Sequence, residues 1–301
     1  MIFKHWINAI RLHTLLLSVS GITSSFILSL SRYRIENSYT KYILCIITAL
    51  LLQILANFSN DYGDAIKGID KFRKFGPKRM VIDGFINYNS MKLAIFLFSI
   101  LSFFSGLLLI YVSIPINTFV FILFFLGIVL CICCAITYSV GFYSYGSFAL
   151  GDFFVFIFFG IISVLGSYFL YTNAIHLDVF LLSLSIGLLN VAVLNVNNMR
   201  DIDSDYTCGK YTIANLLGIK YAKVYHIFII ITSLFLGWFF IFLNKRSIYQ
   251  CLLLFLFLFF YSFHIKNILF LKENHFFNSE LRKLVRIIFL YSICMGLINY
   301  L

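Results

Sequence analysis

Residues 57–80 read NFSNDYGDAIKGIDKFRKFGPKRM and follow directly on a long apolar run. Three carboxylates in this stretch, Asp61, Asp64 and Asp70, stand among six lysine and arginine side chains. Residues 197–218, NNMRDIDSDYTCGKYTIANLLG, repeat the pattern with three more aspartates. The whole chain has 12 acidic residues, so these two segments hold half of them. In so apolar a chain, this uneven placement of carboxylates marks a candidate active site.

The composition around the two stretches is that of a membrane protein. Of the 301 residues, 61% are hydrophobic and 12% are charged, whereas a soluble domain is about half apolar and about a quarter charged. A single water-soluble core cannot bury this much apolar surface. We therefore predict an all-α polytopic membrane protein, with one domain over residues 1–301. Apolar runs of span length predict nine transmembrane helices, at 12–31, 41–60, 91–114, 117–139, 152–173, 178–198, 221–243, 247–265 and 285–301.

The positive charges are divided unequally between the two sides of such a bundle. With nine spans, 18 of the 23 Lys and Arg residues fall on the side of the N-terminus. Because cytoplasmic loops carry the excess of positive charge, we expect the N-terminus and both carboxylate segments at the cytoplasmic face. Orientation and contact with anionic lipid account for the net charge of +11, so we expect membrane lipid and no nucleic acid as a partner.

The spacing of the carboxylates points to a divalent cation. Asp61 and Asp64 are three residues apart and Asp201 and Asp205 four apart, so each pair shares one face of a helix. Like charges at a membrane boundary are costly unless a cation lies between them. Mg²⁺ prefers carboxylate oxygens and completes its shell with water and substrate phosphate oxygens. Arginine and lysine also bind phosphate, so the two segments together predict a diphosphate site.

The motifs NDYGDAIKGID (60–70), GPKR (76–79) and NMRDIDSDYTCGKYT (198–212) resemble those of the UbiA-type intramembrane prenyltransferases. Within that superfamily the chain is most similar to the 1,4-dihydroxy-2-naphthoate polyprenyltransferases of menaquinone biosynthesis. The opening RLHT (11–14) and the segment ALGD (149–152) are also similar to the family pattern, so the resemblance covers nearly the whole chain.

The resemblance implies a nine-helix bundle around a central cavity in the bacterial inner membrane. It implies transfer of a polyprenyl group from polyprenyl diphosphate to 1,4-dihydroxy-2-naphthoate with loss of CO₂, giving demethylmenaquinone. Tyr62 and Tyr138 are expected to contact the aromatic acceptor or line the cavity. Mg²⁺ is expected on Asp61, Asp64, Asp201 and Asp205. The diphosphate is expected near Asn57, Asn60, Asp70, Arg79, Arg200 and Lys210.

Two alternatives stay open at this stage. Residues 138–151, YSVGFYSYGSFALG, lack the prolines of the family pattern YTxGPxPxxYxxLG, so this loop does not identify the acceptor. Another aromatic acceptor of the superfamily, such as 4-hydroxybenzoate, is therefore the first alternative. The second is a cation-coupled transporter, which would place its carboxylates near the bilayer midplane.

Overall fold

The chain is built from long apolar helices. The structure, a computed structural model, describes residues 2–69, 76, 78–114, 118–141, 144–244, 248–271 and 276–300. The helices in these ranges are α1 (Ile2–Ile10), α2 (Leu12–Leu30), α3 (Ser38–Lys67), α4 (Tyr88–Ser113), α5 (Thr118–Thr137), α6 (Gly151–Phe156), α7 (Ser167–Thr172), α8 (Leu177–Arg200), α9 (Ile202–Thr207), α10 (Ile213–Leu243), α11 (Ile248–Phe270) and α12 (Phe277–Gly296). A π-helix, Ile157–Gly166, joins α6 to α7, and short 3₁₀ turns lie at Tyr145–Ser147 and Leu297–Asn299.

The all-helical membrane fold predicted from the sequence is confirmed. Within the described ranges, eight helices are long and apolar enough to cross a membrane, and they match the first eight predicted spans. The ninth predicted span, 285–301, is instead part of α12, which begins at Phe277 and ends at Gly296. The first half of α12 carries four charged side chains, whereas a full span needs about 20 mainly apolar residues. Nine spans is therefore an approximate count.

Helix α8 is the centre of the bundle. It packs against α10, α12 and the π-helix, and 72% of its most apolar 18-residue window is buried. The π-helix approaches α8 through two glycines. A Cβ atom built on Gly160 would lie only 2.7 Å from the Cα atom of Gly187 and from the carbonyl oxygen of Ser183. Glycine at position 160 therefore sets how closely the two helices approach.

The two carboxylate segments lie at the same end of the bundle. Helix α3 ends at Lys67, where Gly68 adopts a left-handed conformation (φ 72°) that glycine accommodates without strain. Helix α8 ends at Arg200 and is followed by the short helix α9. The Cys208 thiol after α9 donates a hydrogen bond to the carbonyl oxygen of Ile69, at 3.4 Å. The two segments, distant in sequence, are thus joined directly.

Candidate active site

A cavity of about 780 Å³ lies inside the bundle, with walls from α2, α3, α5, the π-helix and α8. One end is lined by charged side chains, among them Asp64, Asp201 and Asp205. Farther in, the lining becomes mainly apolar, with residues such as Leu109, Phe124, Ile162, Leu170 and Ile175. The cavity therefore offers a charged compartment that continues into a hydrocarbon-like one.

The lining carboxylates are each paired with a cation. Asp64 accepts a hydrogen bond from Arg79 Nη2 at 3.3 Å. Asp201 accepts two from Arg200, at 2.8 and 2.6 Å. The Asp205 carboxylate lies 3.4 Å from Lys210 Nζ. The charged end therefore holds both signs of charge, as a site for a diphosphate and a cation requires.

The electrostatics show that the two motifs meet. Burial lowers the pKa of Lys210, but the negative charges of Asp205, Asp64 and Asp201 outweigh burial and raise the pKa above its usual value. Burial raises the pKa of Asp205, and the Lys210 charge offsets only part of that rise. A single ammonium group thus responds to carboxylates from both sequence segments, and it stays charged at neutral pH.

The asparagines of the first motif organise the cavity entrance. Asn60 Oδ1 accepts hydrogen bonds from Arg11 Nη2 at 2.9 Å and from Arg79 Nη1 at 2.5 Å. Asn57 Nδ2 donates to the Ile10 carbonyl at 2.7 Å and to Thr14 Oγ1 at 3.1 Å. Asn57 and Asn60 thereby fix the junction of α1 and α2 against α3.

Arg11 is a site residue that the sequence reasoning did not select. It forms the break between α1 and α2 in a left-handed conformation (φ 56°), which is uncommon for a residue other than glycine. Its side chain lines the cavity beside Asn60. The similarity of RLHT to the family's opening was the available signal, but it gave no role for the guanidinium group.

Asn278 is a second residue that the sequence did not reveal. Arg200 is 3% exposed, and besides Asp201 it donates to Asn197 Oδ1 at 2.7 Å and to Asn278 Oδ1 at 2.8 Å. Asn278 lies in the first turn of α12. The last long helix therefore helps to orient the arginine of the second motif.

Three of the predicted site residues need correction or comment. Asp61 is not among the lining residues of the cavity. Its Oδ2 accepts a hydrogen bond from the Met80 N–H at 3.0 Å, so it holds the segment that carries Arg79. Tyr62 packs edge-to-face on Tyr88, with ring centroids 6.3 Å apart, and is also absent from the lining. The contact of Tyr62 with the acceptor or the cavity therefore stays a prediction. Asp70 lies outside the described residues.

Tyr138 is among the residues that line the cavity. Burial raises the pKa of its phenol group, so the hydroxyl is protonated at neutral pH. Its carbonyl oxygen accepts a hydrogen bond from Gly146 N at 3.0 Å, and the Ala149 N–H donates to the Tyr211 carbonyl at 2.9 Å. The loop that lacks the family's prolines is therefore held by backbone contacts with the second motif's segment.

The donor set fits a hard divalent cation that shares its shell with a substrate. Asp205 Oδ2 is buried and has no hydrogen-bond partner in the described part of the chain. Among the described residues, no group of three or more His, Cys, Asp or Glu side chains is arranged to hold a metal alone. Mg²⁺ commonly takes one or two carboxylates and completes its shell with water and phosphate oxygens. One or two of the carboxylates that line the cavity, Asp64, Asp201 and Asp205, would supply that share of the shell.

A membrane-embedded helical bundle with this charged, then apolar, cavity defines an intramembrane prenyltransferase architecture. The model of the UbiA prenyltransferase family matches residues 21–274, and the chain belongs to this family. The 1,4-dihydroxy-2-naphthoate octaprenyltransferase of Escherichia coli K12 is 40% identical over 230 residues, which cover 76% of this chain and 73% of that enzyme. The Haemophilus influenzae enzyme of the same name is 44% identical over 184 residues, 61% of this chain and 59% of the relative. The match thus spans less than two thirds of the Haemophilus protein.

Solved structures confirm the fold. A UbiA homolog from Archaeoglobus fulgidus bound to GPP and Mg²⁺ superposes with a TM-score of 0.72 at 12% identity, over 98% of this chain and 99% of that one. The apo UbiA homolog from Aeropyrum pernix K1 gives 0.68 at 17% identity, over 93% and 95% of the two chains. Family membership and the position of the carboxylates at helix ends both oppose the transporter alternative.

Proposed function

We propose that this protein transfers a polyprenyl group from polyprenyl diphosphate to 1,4-dihydroxy-2-naphthoate, with loss of CO₂, giving demethylmenaquinone. The observation that carries the proposal is the single cavity that joins Asp64, Asp201, Asp205, Arg79 and Lys210 to an apolar interior. A polyprenyl diphosphate has the same two parts, a charged head and a hydrocarbon tail. The names of the relatives at 40% and 44% identity support the choice of acceptor.

The diphosphate binds at the charged end of the cavity in this proposal. Arg79, Arg200 and Lys210 neutralise its oxygens, and Asn60 holds Arg79 in place through the 2.5 Å hydrogen bond. Asp64, Asp201 and Asp205 are the proposed Mg²⁺ ligands. Bound Mg²⁺ would supply positive charge that stabilises the departing diphosphate.

We propose that Asp61 positions Arg79, because its Oδ2 accepts a hydrogen bond from the Met80 N–H. Its other oxygen, Oδ1, is buried without a partner in the described part of the chain, and its role as a metal ligand stays a prediction. Asn57 acts similarly at the α1–α2 junction. Asp70 keeps its sequence-based expectation as a residue near the diphosphate.

The reaction needs no base to remove a proton from the attacking ring carbon, because that carbon loses CO₂ instead of a proton. The allylic C–O bond breaks and its electron pair leaves with the diphosphate. The acceptor carbon that carries the carboxylate attacks the allylic carbon. CO₂ then leaves, and the electron pair of the broken C–C bond restores the aromatic ring. The apolar walls exclude the water that would otherwise capture the allylic cation.

The protein is an integral membrane protein, and we place it in the bacterial inner membrane with the charged end of the cavity facing the cytoplasm. The excess of Lys and Arg on the side of the two motifs supports this orientation. Polyprenyl diphosphate and the aromatic acid would then reach the site from the cytoplasmic face, while the polyprenyl tail lies within the hydrocarbon core of the membrane.

The test uses purified protein in lipid with Mg²⁺ and a long-chain polyprenyl diphosphate. 1,4-Dihydroxy-2-naphthoate and 4-hydroxybenzoate are offered in parallel, and products are followed by mass spectrometry. We expect a prenylated, decarboxylated naphthoquinol that disappears with EDTA. Prenylation of 4-hydroxybenzoate alone would refute the proposed acceptor, and no product with either would refute the proposed reaction.

Matched variants separate the site from general effects of charge. Asp205→Asn is expected to abolish product formation because Asp205 lines the cavity. Asp203→Asn is the control, since Asp203 lies two residues away but is exposed. Equal activity of the two variants would contradict the assignment of Asp205.

A further inference from the structure

Polar side chains lie in the wall of the cavity well below its charged end. Gln53 on α3 and Asn190 on α8 both line the cavity, and so does Ser18 on α2. Gln53 precedes Asp64 by 11 residues, and Asn190 precedes Asp201 by 11. At 1.5 Å of rise per residue, each amide lies about 16 Å deeper than its carboxylate. Because α3 and α8 both run toward the charged end, the two amides stand at the same depth on different walls.

These amides have hydrogen-bonding capacity that the protein leaves unused. Gln53 Oε1 accepts from Ser18 Oγ at 3.2 Å, and Gln53 Nε2 donates to Asn57 Oδ1 at 3.3 Å. A carboxamide nitrogen has two N–H groups, so one remains. Asn190 Nδ2 donates to the Ile186 carbonyl at 2.8 Å. Asn190 Oδ1 is buried and, within the described ranges, has no partner.

An isoprenoid tail does not explain these side chains. A hydrocarbon offers no hydrogen bond, and polar atoms buried against it without partners are destabilising. A ligand that carries polar groups of its own would satisfy Gln53 and Asn190, as a hydrocarbon would not. A phenolic hydroxyl fits both amides, because it can donate to Asn190 Oδ1 and accept from the Gln53 N–H.

We propose that Gln53 and Asn190 bind the two ring hydroxyl groups of the acceptor, one each, and so select a para-dihydroxylated ring. This inference rests on the proposed function and specifies the acceptor site. Hydroxyl groups at opposite positions of a ring point in opposite directions, as the two amides on separate walls require. The ring then lies between the diphosphate and the apolar end of the cavity. 4-Hydroxybenzoate has only one hydroxyl group and leaves one amide unpaired.

The binding mode also assists the chemistry. When the phenolic O–H ortho to the carboxylate-bearing carbon donates to Asn190 Oδ1, electron density shifts from the O–H bond toward the ring. The ring carbon that attacks the allylic carbon becomes a better nucleophile. Asn190 would therefore contact the reacting molecule and act in catalysis as well as in recognition.

The experiment measures kcat/KM for 1,4-dihydroxy-2-naphthoate and the inhibition constants of two analogues with one hydroxyl group, 1-hydroxy-2-naphthoate and 4-hydroxy-2-naphthoate. Inhibition is measured for the analogues because a hydroxyl at C4 is meta to the attacking carbon and does not activate it. Gln53→Leu and Asn190→Leu remove the amides at similar size, and Gln53→Ala and Asn190→Ala are measured beside them to avoid overpacking. We expect each substitution to lower kcat/KM for the dihydroxy acceptor by about tenfold or more. Each should leave the inhibition constant unchanged for one analogue, a different one for the two positions. KM for polyprenyl diphosphate should not change.

Asn195→Leu is the matched control. Asn195 is also a buried amide of α8, with Nδ2 donating to the Ala222 carbonyl at 3.0 Å and an unpartnered Oδ1 among the described residues, but it does not line the cavity. We expect it to leave the relative affinities for the dihydroxy acceptor and the two analogues at the wild-type values. A uniform loss of affinity for all three compounds in the Gln53 and Asn190 variants would overturn the inference while leaving the proposed function intact. Failure of the wild-type protein to use dihydroxynaphthoate would instead overturn the proposed function.

Discussion

Replacement of Asn278 by leucine tests whether α12 belongs to the active site. The change removes the oxygen that accepts a hydrogen bond from Arg200 Nη1 at 2.8 Å. Arg200 keeps its hydrogen bonds to Asp201 and Asn197. The guanidinium group therefore stays in place but leaves one buried donor unpaired, and its orientation toward the cavity becomes less fixed.

The expected magnitude follows from the number of hydrogen bonds that remain. A hydrogen bond to a charged group contributes about 1.5–3 kcal/mol. Because Arg200 retains its other partners, we take the lower end, about 1.5 kcal/mol. At about 1.4 kcal/mol per factor of ten, Asn278→Leu should lower kcat/KM for polyprenyl diphosphate by roughly tenfold.

The assay is steady-state prenyl transfer, with the donor and the acceptor varied separately. Asn278→Asp keeps an acceptor for Arg200 and should restore kcat/KM to near the wild-type value. Asn267→Leu is the control, because Asn267 contacts Glu280 of α12 at 3.2 Å rather than Arg200. Wild-type kinetics in folded Asn278→Leu, or equal impairment by the aspartate variant, would refute the reasoning.

Three further predictions concern the carboxylates and the packing of the π-helix. Asp64→Asn and Asp201→Asn should each lower kcat by about a hundredfold or more, with the variants still folded by circular dichroism; near-normal turnover in both would contradict the diphosphate site. Burial raises the pKa of Asp205, so this carboxylate gains a proton at a higher pH than an ordinary aspartate does. The kcat/KM for the donor should fall as the pH is lowered and Asp205 becomes protonated. Excess Mg²⁺ should move this fall in kcat/KM to lower pH, since metal and proton compete for the same oxygens. If the pH of the fall does not depend on the Mg²⁺ concentration, another group titrates. Gly160→Ala should lower the free energy of unfolding by about 1–3 kcal/mol, measured as Tm in detergent, because its Cβ would meet α8 backbone at 2.7 Å. Gly166→Ala, where the nearest atom is 3.8 Å away, should change Tm much less, and equal shifts would argue against backbone contact as the cause.

The fold and the charged end of the cavity could be predicted because their signals are local in the sequence. Span length and apolarity identify each helix independently of the others. Two acidic segments that end spans running in the same direction must lie at the same face. Asp64, Asp201, Asp205 and Lys210 were found on that ground, and the structure brings them to one cavity.

The remaining parts of the site depend on contacts between distant elements. Spacing cannot separate Asp61 from Asp64, because residues three apart share one broad helix face. Only the folded chain shows that Asp61 binds the Met80 N–H, 19 positions away, whereas Asp64 binds Arg79. Asn278 lies 78 positions from Arg200, and no spacing rule joins them. Arg11 reaches Asn60 only because the backbone turns into a left-handed conformation between α1 and α2.

The π-helix at Ile157–Gly166 makes the cavity wall a place where chain length can vary. A deletion within an ordinary α-helix rotates every following residue by about 100° about the helix axis, which would turn the rest of the span away from its neighbours. A π-helical segment already holds surplus residues relative to α geometry, so the loss of one residue there is absorbed by tightening the turn. Single-residue insertions or deletions there can thus reshape the apolar part of the cavity, while the aspartates at the ends of α3 and α8 keep their positions.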